Sequence, residues 1–143
     1  MSSYSETCLD ANVVLRFVST DTPTPAIKDL WREWTDARVT LHAPALWRYE
    51  IVNGLHQLRK AGALGDQEAS RALIKALKLP IELHNDGLLH MRAFQLAAEY
   101  GLPAAYDAYY LALAERLGLE FWTLDAKLVK AVEDRLAWVR LVS

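Results

Sequence analysis

Short apolar runs alternate along this chain with longer stretches in which apolar residues recur every three or four positions. The short runs read as buried strands and the longer stretches as amphipathic helices. Residues 7–9 predict a first strand and residues 12–17 a short helix. The turn at 20–25 (Thr-Asp-Thr-Pro-Thr-Pro) places Thr24 as a cap and Pro25 at the first position of a helix to about Asp36. Residues 39–42 predict a second strand. Pro44 is expected to open a long helix ending near Gly62, and Asp66 to cap another running to about Leu77. Residues 79–83 predict a third strand, and Pro80 suits it to a sheet edge because proline donates nothing to a ladder. Asn85 or Asp86 starts a helix that stops at Tyr100-Gly101, a C-cap signal. Pro103 opens the next, which stops at Gly118. Residues 120–124 predict the fourth strand, 126–132 a helix and 138–142 the last strand. This alternation argues for a parallel α/β sheet with helices on both faces. In such sheets the chemistry gathers beyond the carboxyl ends of the strands.

At 143 residues the chain is one domain, long enough to bury a core without disulfides. No repeat, linker or low-complexity tract divides it. Cys8, the single cysteine, excludes an internal disulfide and suits a reducing compartment. The start, Met-Ser-Ser-Tyr-Ser-Glu, has neither a basic region nor a long apolar stretch, which argues against a signal peptide. No run is long enough to span a bilayer, so the expected setting is the cytoplasm, with no membrane partner. The net charge of −2 and pI of about 6.1 count mildly against a general nucleic-acid binder. Any contact with such a polymer must use a local patch of cations.

Four carboxylates change the picture. Asp10 and Asp125 each follow an apolar run at a strand end and precede a helix. Either alone could be an N-cap; together they would sit side by side if the first and fourth strands are neighbours. Asp107 falls on an apolar helical stripe with Pro103, Tyr110, Leu111, Ala114 and Leu117. A carboxylate there is costly unless it is paired or liganded, and the plainer alternative is a buried salt bridge. Glu50 borders the stripe Trp47, Ile51, Leu55 and Leu58, and Gly54 one turn on is expected to leave space beside it. A fold gathering these four acids would have no cation in the sequence pattern to balance them. Divalent metal and metal-assisted hydrolysis then follow. His42, His56, His84 and His90 show no metal-ligand spacing, although His42 at a strand end is worth watching. There is no Gly-rich phosphate loop or nucleophile elbow.

These segments resemble a known family. Leu9-Asp10-Ala11-Asn12-Val13-Val14-Leu15 looks like the opening of a PIN domain. Glu50 in Trp47-Arg48-Tyr49-Glu50-Ile51-Val52-Asn53-Gly54-Leu55 is similar to the family's second acidic position. Asp107 in Ala105-Tyr106-Asp107-Ala108-Tyr109-Tyr110 resembles the third, and Asp125 in Thr123-Leu124-Asp125-Ala126-Lys127-Leu128 the fourth. The resemblance runs from about residue 7 to the end, so residues 1–143 are taken as one PIN-like ribonuclease domain. The absence of appended domains looks like the VapC-type toxins of prokaryotic toxin–antitoxin modules.

The resemblance implies a sheet ordered 3-2-1-4-5 and a Mg²⁺- or Mn²⁺-dependent endoribonuclease. Asp10, Glu50, Asp107 and Asp125 would hold the metal or its waters. It also implies a homodimer and a cognate antitoxin. Asn12 and Thr123 could orient carboxylates, or serve only local turn bonding. Arg16, Arg48, Lys127 and Lys130 could contact RNA phosphate, and Tyr106 could stack on a base. Trp47 could do the same, though its stripe suits the core. Two other classes remain: an aspartyl-phosphate signalling domain, which lacks paired acids after the first strand, and a non-catalytic PIN-like scaffold, which should have lost an acid.

Overall fold

The computed structural model describes residues 5–143. Residues 1–4, part of the leader-free start expected above, lie outside the described residues. Five strands, β1 (Glu6–Leu9), β2 (Thr40–Pro44), β3 (Ile81–His84), β4 (Phe121–Thr123) and β5 (Val139–Leu141), form one sheet in the order β3-β2-β1-β4-β5. Every neighbouring pair is parallel. The connections are α1 (Ala11–Val18), α2 (Pro25–Asp36), α3 (Leu46–Lys60), α4 (Asp66–Leu77), α5 (Leu88–Glu99), α6 (Tyr106–Leu117) and α7 (Ala126–Val132).

The three residues Thr7, Cys8 and Leu9 of β1 are all fully buried, so helices must cover both faces of the central strand. Helices α1, α3 and α4 pack together, while α5 pairs with α6 and α6 lies against β1 and β2. Trp47, Tyr110 and Phe121 are the largest wholly buried side chains. Strand β3 sits at the edge as expected, although Pro80 lies just before it and not within it. Gly118 ends α6 at φ 68°, a left-handed position that favours glycine.

Several boundaries differ from the sequence reading. Pro44 closes β2 opposite His84, and α3 begins only at Leu46. Pro103 is likewise followed by a bend, with α6 starting at Tyr106. Proline needs no partner for a missing N–H at a strand end, so it marks a boundary without saying which element begins. Asp66 is the first residue inside α4, not its cap; Glu68 reaches back to the Gly65 N–H at 3.1 Å. Helix α5 starts after Gly87, although Asp86 accepts the Leu88 N–H at 2.9 Å as a cap would. Thr24 precedes α2 without a side-chain bond to it. Gly54 does not leave open space: a Cβ there would stand 2.5 Å from Leu15 Cδ1, so α1 fills the gap against α3. Strand β3 starts two residues later than expected, at Ile81, and runs one residue further, to His84.

Candidate active site

The chain lays down β1, moves outward to β2 and β3, and returns to place β4 on the other side of β1. That reversal sets the carboxyl ends of β1 and β4 side by side at the switch point, the place where ligands of such sheets bind. Asp10 leaves β1 still tied to β4, its N–H donating to the Trp122 carbonyl at 2.9 Å. The Asp10 carboxylate is 6 % exposed and both its oxygens are engaged. Oδ1 accepts the Asn12 N–H at 3.3 Å, capping α1. Oδ2 accepts the Thr123 hydroxyl at 2.9 Å.

Thr123 is the hinge of this arrangement. Its Oγ1 also accepts from Asn12 Nδ2 at 3.2 Å and from the Asp125 N–H at 3.0 Å. One proton and two lone pairs are thereby all used, so the hydroxyl proton is directed at Asp10. Asn12 Oδ1 in turn accepts the Leu124 N–H at 3.1 Å. Thr123 thus orients a carboxylate directly, while the Asn12 side chain acts one step back by holding Thr123 and the β4 end.

The remaining acids arrive from helices. Asp125 caps α7, its Oδ1 accepting the Lys127 and Leu128 N–H groups at 3.0 and 3.1 Å. Glu50 of α3 is half-buried and accepts the Tyr110 hydroxyl at 2.5 Å. Asp107, on the first turn of α6, is half-buried without a hydrogen-bond or ion-pair partner among the described residues. No ion pair among the described residues involves any of the four, so the salt bridge considered for Asp107 is not there.

The electrostatics link them. Burial pushes Asp10 up to about 7; the charges of Asp107 and Glu50 add to the rise, and the bonds from Thr123 and Asn12 oppose it. Glu50 is raised first by burial and then by Asp107, against the lowering effect of the Tyr110 hydroxyl. Asp107 is raised by burial and by Asp125. Repulsion therefore runs from Asp10 and Glu50 through Asp107 to Asp125, with no ion pair among the described residues to relieve it. The donors are hard carboxylate oxygens, which suit Mg²⁺ or Mn²⁺. They are also spaced apart. Among the described residues, the group of three ligand-type side chains with donor atoms all within 4.8 Å of one another lies elsewhere, at His42, Glu82 and His84. A spread set of carboxylates leaves room for the waters that Mg²⁺ keeps.

Arg16, Arg48, Lys127 and Lys130 are all exposed, and Tyr106 beside Asp107 is 65 % exposed. Trp47 is buried in the core and is unavailable for stacking. Sequence reasoning missed two features. Tyr110 reads as one more core residue on the α6 stripe, and only its three-residue offset from Asp107 hints at a polar task. The His42, His84 and Glu82 group has no sequence spacing because strand pairing assembles it.

The PIN domain family profile matches residues 7–134, and the chain belongs to that family. Among individual proteins, it is 38% identical over 96 residues to Ribonuclease VapC3 of Pyrobaculum aerophilum, spanning 63% of this chain and 70% of that one. It is 33% identical over 95 residues to Ribonuclease VapC3 of Mycobacterium tuberculosis, spanning 66% and 67%. The crystal structure of PAE2754 from Pyrobaculum aerophilum superposes with a TM-score of 0.67 at 26% identity, covering 92% of this chain and 87% of that one. That of FitAcB from Neisseria gonorrhoeae gives 0.61 at 18% identity, covering 96% of each, a likeness of fold.

Proposed function

We propose that this chain is a metal-dependent endoribonuclease of the VapC type, the toxin of a toxin–antitoxin pair. The observation that carries the reading is Asp107: half-buried, unpaired, and pressed by a neighbouring carboxylate in a set of four. A group in that position is stabilised by a cation, and the relatives named ribonucleases supply the substrate class. Asp10, Glu50, Asp107 and Asp125 would hold Mg²⁺ or Mn²⁺ directly or through waters. When bound, such an ion lowers the pKa of an attacking water and stabilises charge on a phosphate. Thr123 fixes the rotamer of Asp10, and Tyr110 that of Glu50. Arg16, Arg48, Lys127 and Lys130 would meet RNA phosphates and Tyr106 a base.

Association belongs to the same proposal. Leu88, Met91 and Phe94 form an exposed apolar row on α5, and Tyr49 and Val52 border a groove of about 960 Å³ beside Arg48. Apolar surface of this kind favours a homodimer and an antitoxin segment close to the acids. No helix of the described residues is long and apolar enough to cross a membrane, and a cytoplasmic setting fits the VapC reading. The proposal extends the ribonuclease unit over residues 1–143. The test is cleavage of total cellular RNA by purified, antitoxin-free protein with Mg²⁺ or Mn²⁺, stopped by chelation. Equal cutting by wild type and Asp107→Asn would overturn it.

A further inference from the structure

Away from the four acids, three strands bring together side chains that the reading above does not use. His42 on β2 is in register with Cys8 on β1 and Glu82 on β3. Side chains two apart on a strand share a face, so Glu6, His42, Glu82 and His84 lie on one side of the sheet. His42 is 4 % exposed. Its Nε2 stands 2.8 Å from Glu6 Oε1, and its Nδ1 stands 2.8 Å from His84 Nε2 and 3.6 Å from Glu82 Oε2.

An ionised carboxylate only accepts, so the bond to Glu6 puts a proton on His42 Nε2. In the neutral ring Nδ1 is then a bare lone pair, aimed at another imidazole nitrogen. At 2.8 Å the two nitrogens hold either the Nε2 proton of a neutral His84 or, when that proton sits on the other ring nitrogen of His84, a metal ion between two lone pairs. We propose that His42 Nδ1, His84 Nε2 and the Glu82 carboxylate form a second cation site, selective for a zinc-class transition ion. Ligands about 2.0–2.1 Å from a tetrahedral zinc stand about 3.3 Å apart, and the observed separations of 2.8 and 3.6 Å fall on either side of that value. Two imidazoles favour zinc-class ions over Mg²⁺. Glu6 takes the part of the outer carboxylate that fixes the tautomer of a ligating histidine.

The site has access and independence. Glu82 is exposed and His84 half-buried, so an ion and its remaining water ligand can reach the group from solvent. The charges that act on His84 are His42, Glu82 and Asp86, with none from the four acids. A bound ion would tie the edge strand β3 to β2.

The test is Zn²⁺ binding to the full chain by equilibrium dialysis with metal analysis, with visible absorption of the Co²⁺-loaded protein as an imidazole-sensitive readout. Wild type and Asp107→Asn should each retain a zinc equivalent and show tetrahedral Co²⁺ bands. His84→Ala should lose both, and Glu6→Gln should bind about 10-fold or more weakly. His42 is buried and its replacement risks the fold, so the half-buried His84 and exposed Glu82 are the informative positions; Glu82→Gln should also weaken binding. Metal-free melting of each variant at the wild-type temperature shows that the fold is intact. Zinc bound equally by wild type and His84→Ala, or lost in Asp107→Asn while kept in His84→Ala, overturns the site. So does an absence of zinc binding by wild type. None of these readouts depends on RNA cleavage.

Discussion

Tyr110 on α6 donates its hydroxyl to Glu50 on α3 across 2.5 Å, joining two helices from different parts of the chain. The phenol is fully buried and its ring stacks on Phe121 with centroids 5.5 Å apart. Tyr110→Phe keeps the stacking and removes only the donor. Glu50 then loses its fixed rotamer and the one bond that favours its ionised form. We expect stability to fall by about 1 kcal/mol and the metal concentration for half-maximal cleavage to rise about 10- to 100-fold. A Mn²⁺ titration of cleavage checks this; an unchanged midpoint would show that Tyr110 is core packing alone.

Asp107→Asn separates a ligand from a structural ion pair by sign. Removing a charge that faces only repulsion should leave the metal-free melting temperature unchanged or higher, while abolishing cleavage. Breaking a buried pair would cost about 3–5 kcal/mol instead. Chemical denaturation without metal, alongside the RNA assay, reads both quantities. A drop of that size in Asp107→Asn would mean that a cationic partner holds the residue.

The order of strands and helices was legible because short apolar runs and 3.6-residue stripes mark parallel strands and their covering helices clearly. The edge position of β3 matched the expectation, but its premise did not, because Pro80 lies outside the strand. Helix starts were less legible: Pro44 and Pro103 suit both the end of one element and the start of the next. Glu50 and Asp107 stood out as acids beside apolar stripes, yet their nearness to Asp10 depends on strand order, for which the family resemblance was needed. The space beside Gly54 was misjudged because Leu15, which fills it, is on another helix. His42 and Glu82 are remote in sequence and meet only through the pairing of β2 with β3.

Thr123→Val tests the support of the site. The valine keeps the shape but strands two donors, Asn12 Nδ2 and the Asp125 N–H, and deprives Asp10 of the hydroxyl. Unsatisfied buried groups of this kind cost about 1–3 kcal/mol each, so urea unfolding should show a loss of at least about 2 kcal/mol. Thr123→Ser preserves all three bonds and should stay within about 1 kcal/mol of wild type. If valine is as stable as wild type while serine is destabilised, the methyl packing matters and the hydroxyl does not.

The exposed row on α5 predicts self-association. Phe94 and Met91 are 72 % and 64 % exposed, while Leu89, Ala93 and Leu96 fill the core side of the same helix. Phe94→Glu should therefore halve the mass seen by light scattering at micromolar concentration without lowering the melting temperature of the isolated subunit. A wild-type mass equal to one chain would rule out the dimer at that concentration.

The pH dependence of stability follows from Asp10. Its folded value is pushed up to about 7 from an ordinary 3.8, chiefly by burial. Below about pH 4 both folded and unfolded chains carry the proton, and no penalty arises. Between pH 4 and 7 the unfolded chain releases the proton while the folded protein keeps it. The folded state then binds more protons, so stability falls as pH rises, with the penalty complete above pH 7. The full span corresponds to roughly 4 kcal/mol. Asp10→Asn removes the titration but weakens the cap on α1 by about 1 kcal/mol at every pH, so the slopes carry the comparison rather than the absolute values. Metal-free wild type should lose stability from pH 4 to 7 more steeply than Asp10→Asn. Mg²⁺ should restore the wild type increasingly as pH rises, because the cation takes the proton's place, and should do little for the variant. Parallel pH profiles for the two proteins without metal would show that Asp10 is ionised throughout and that its burial carries no such penalty.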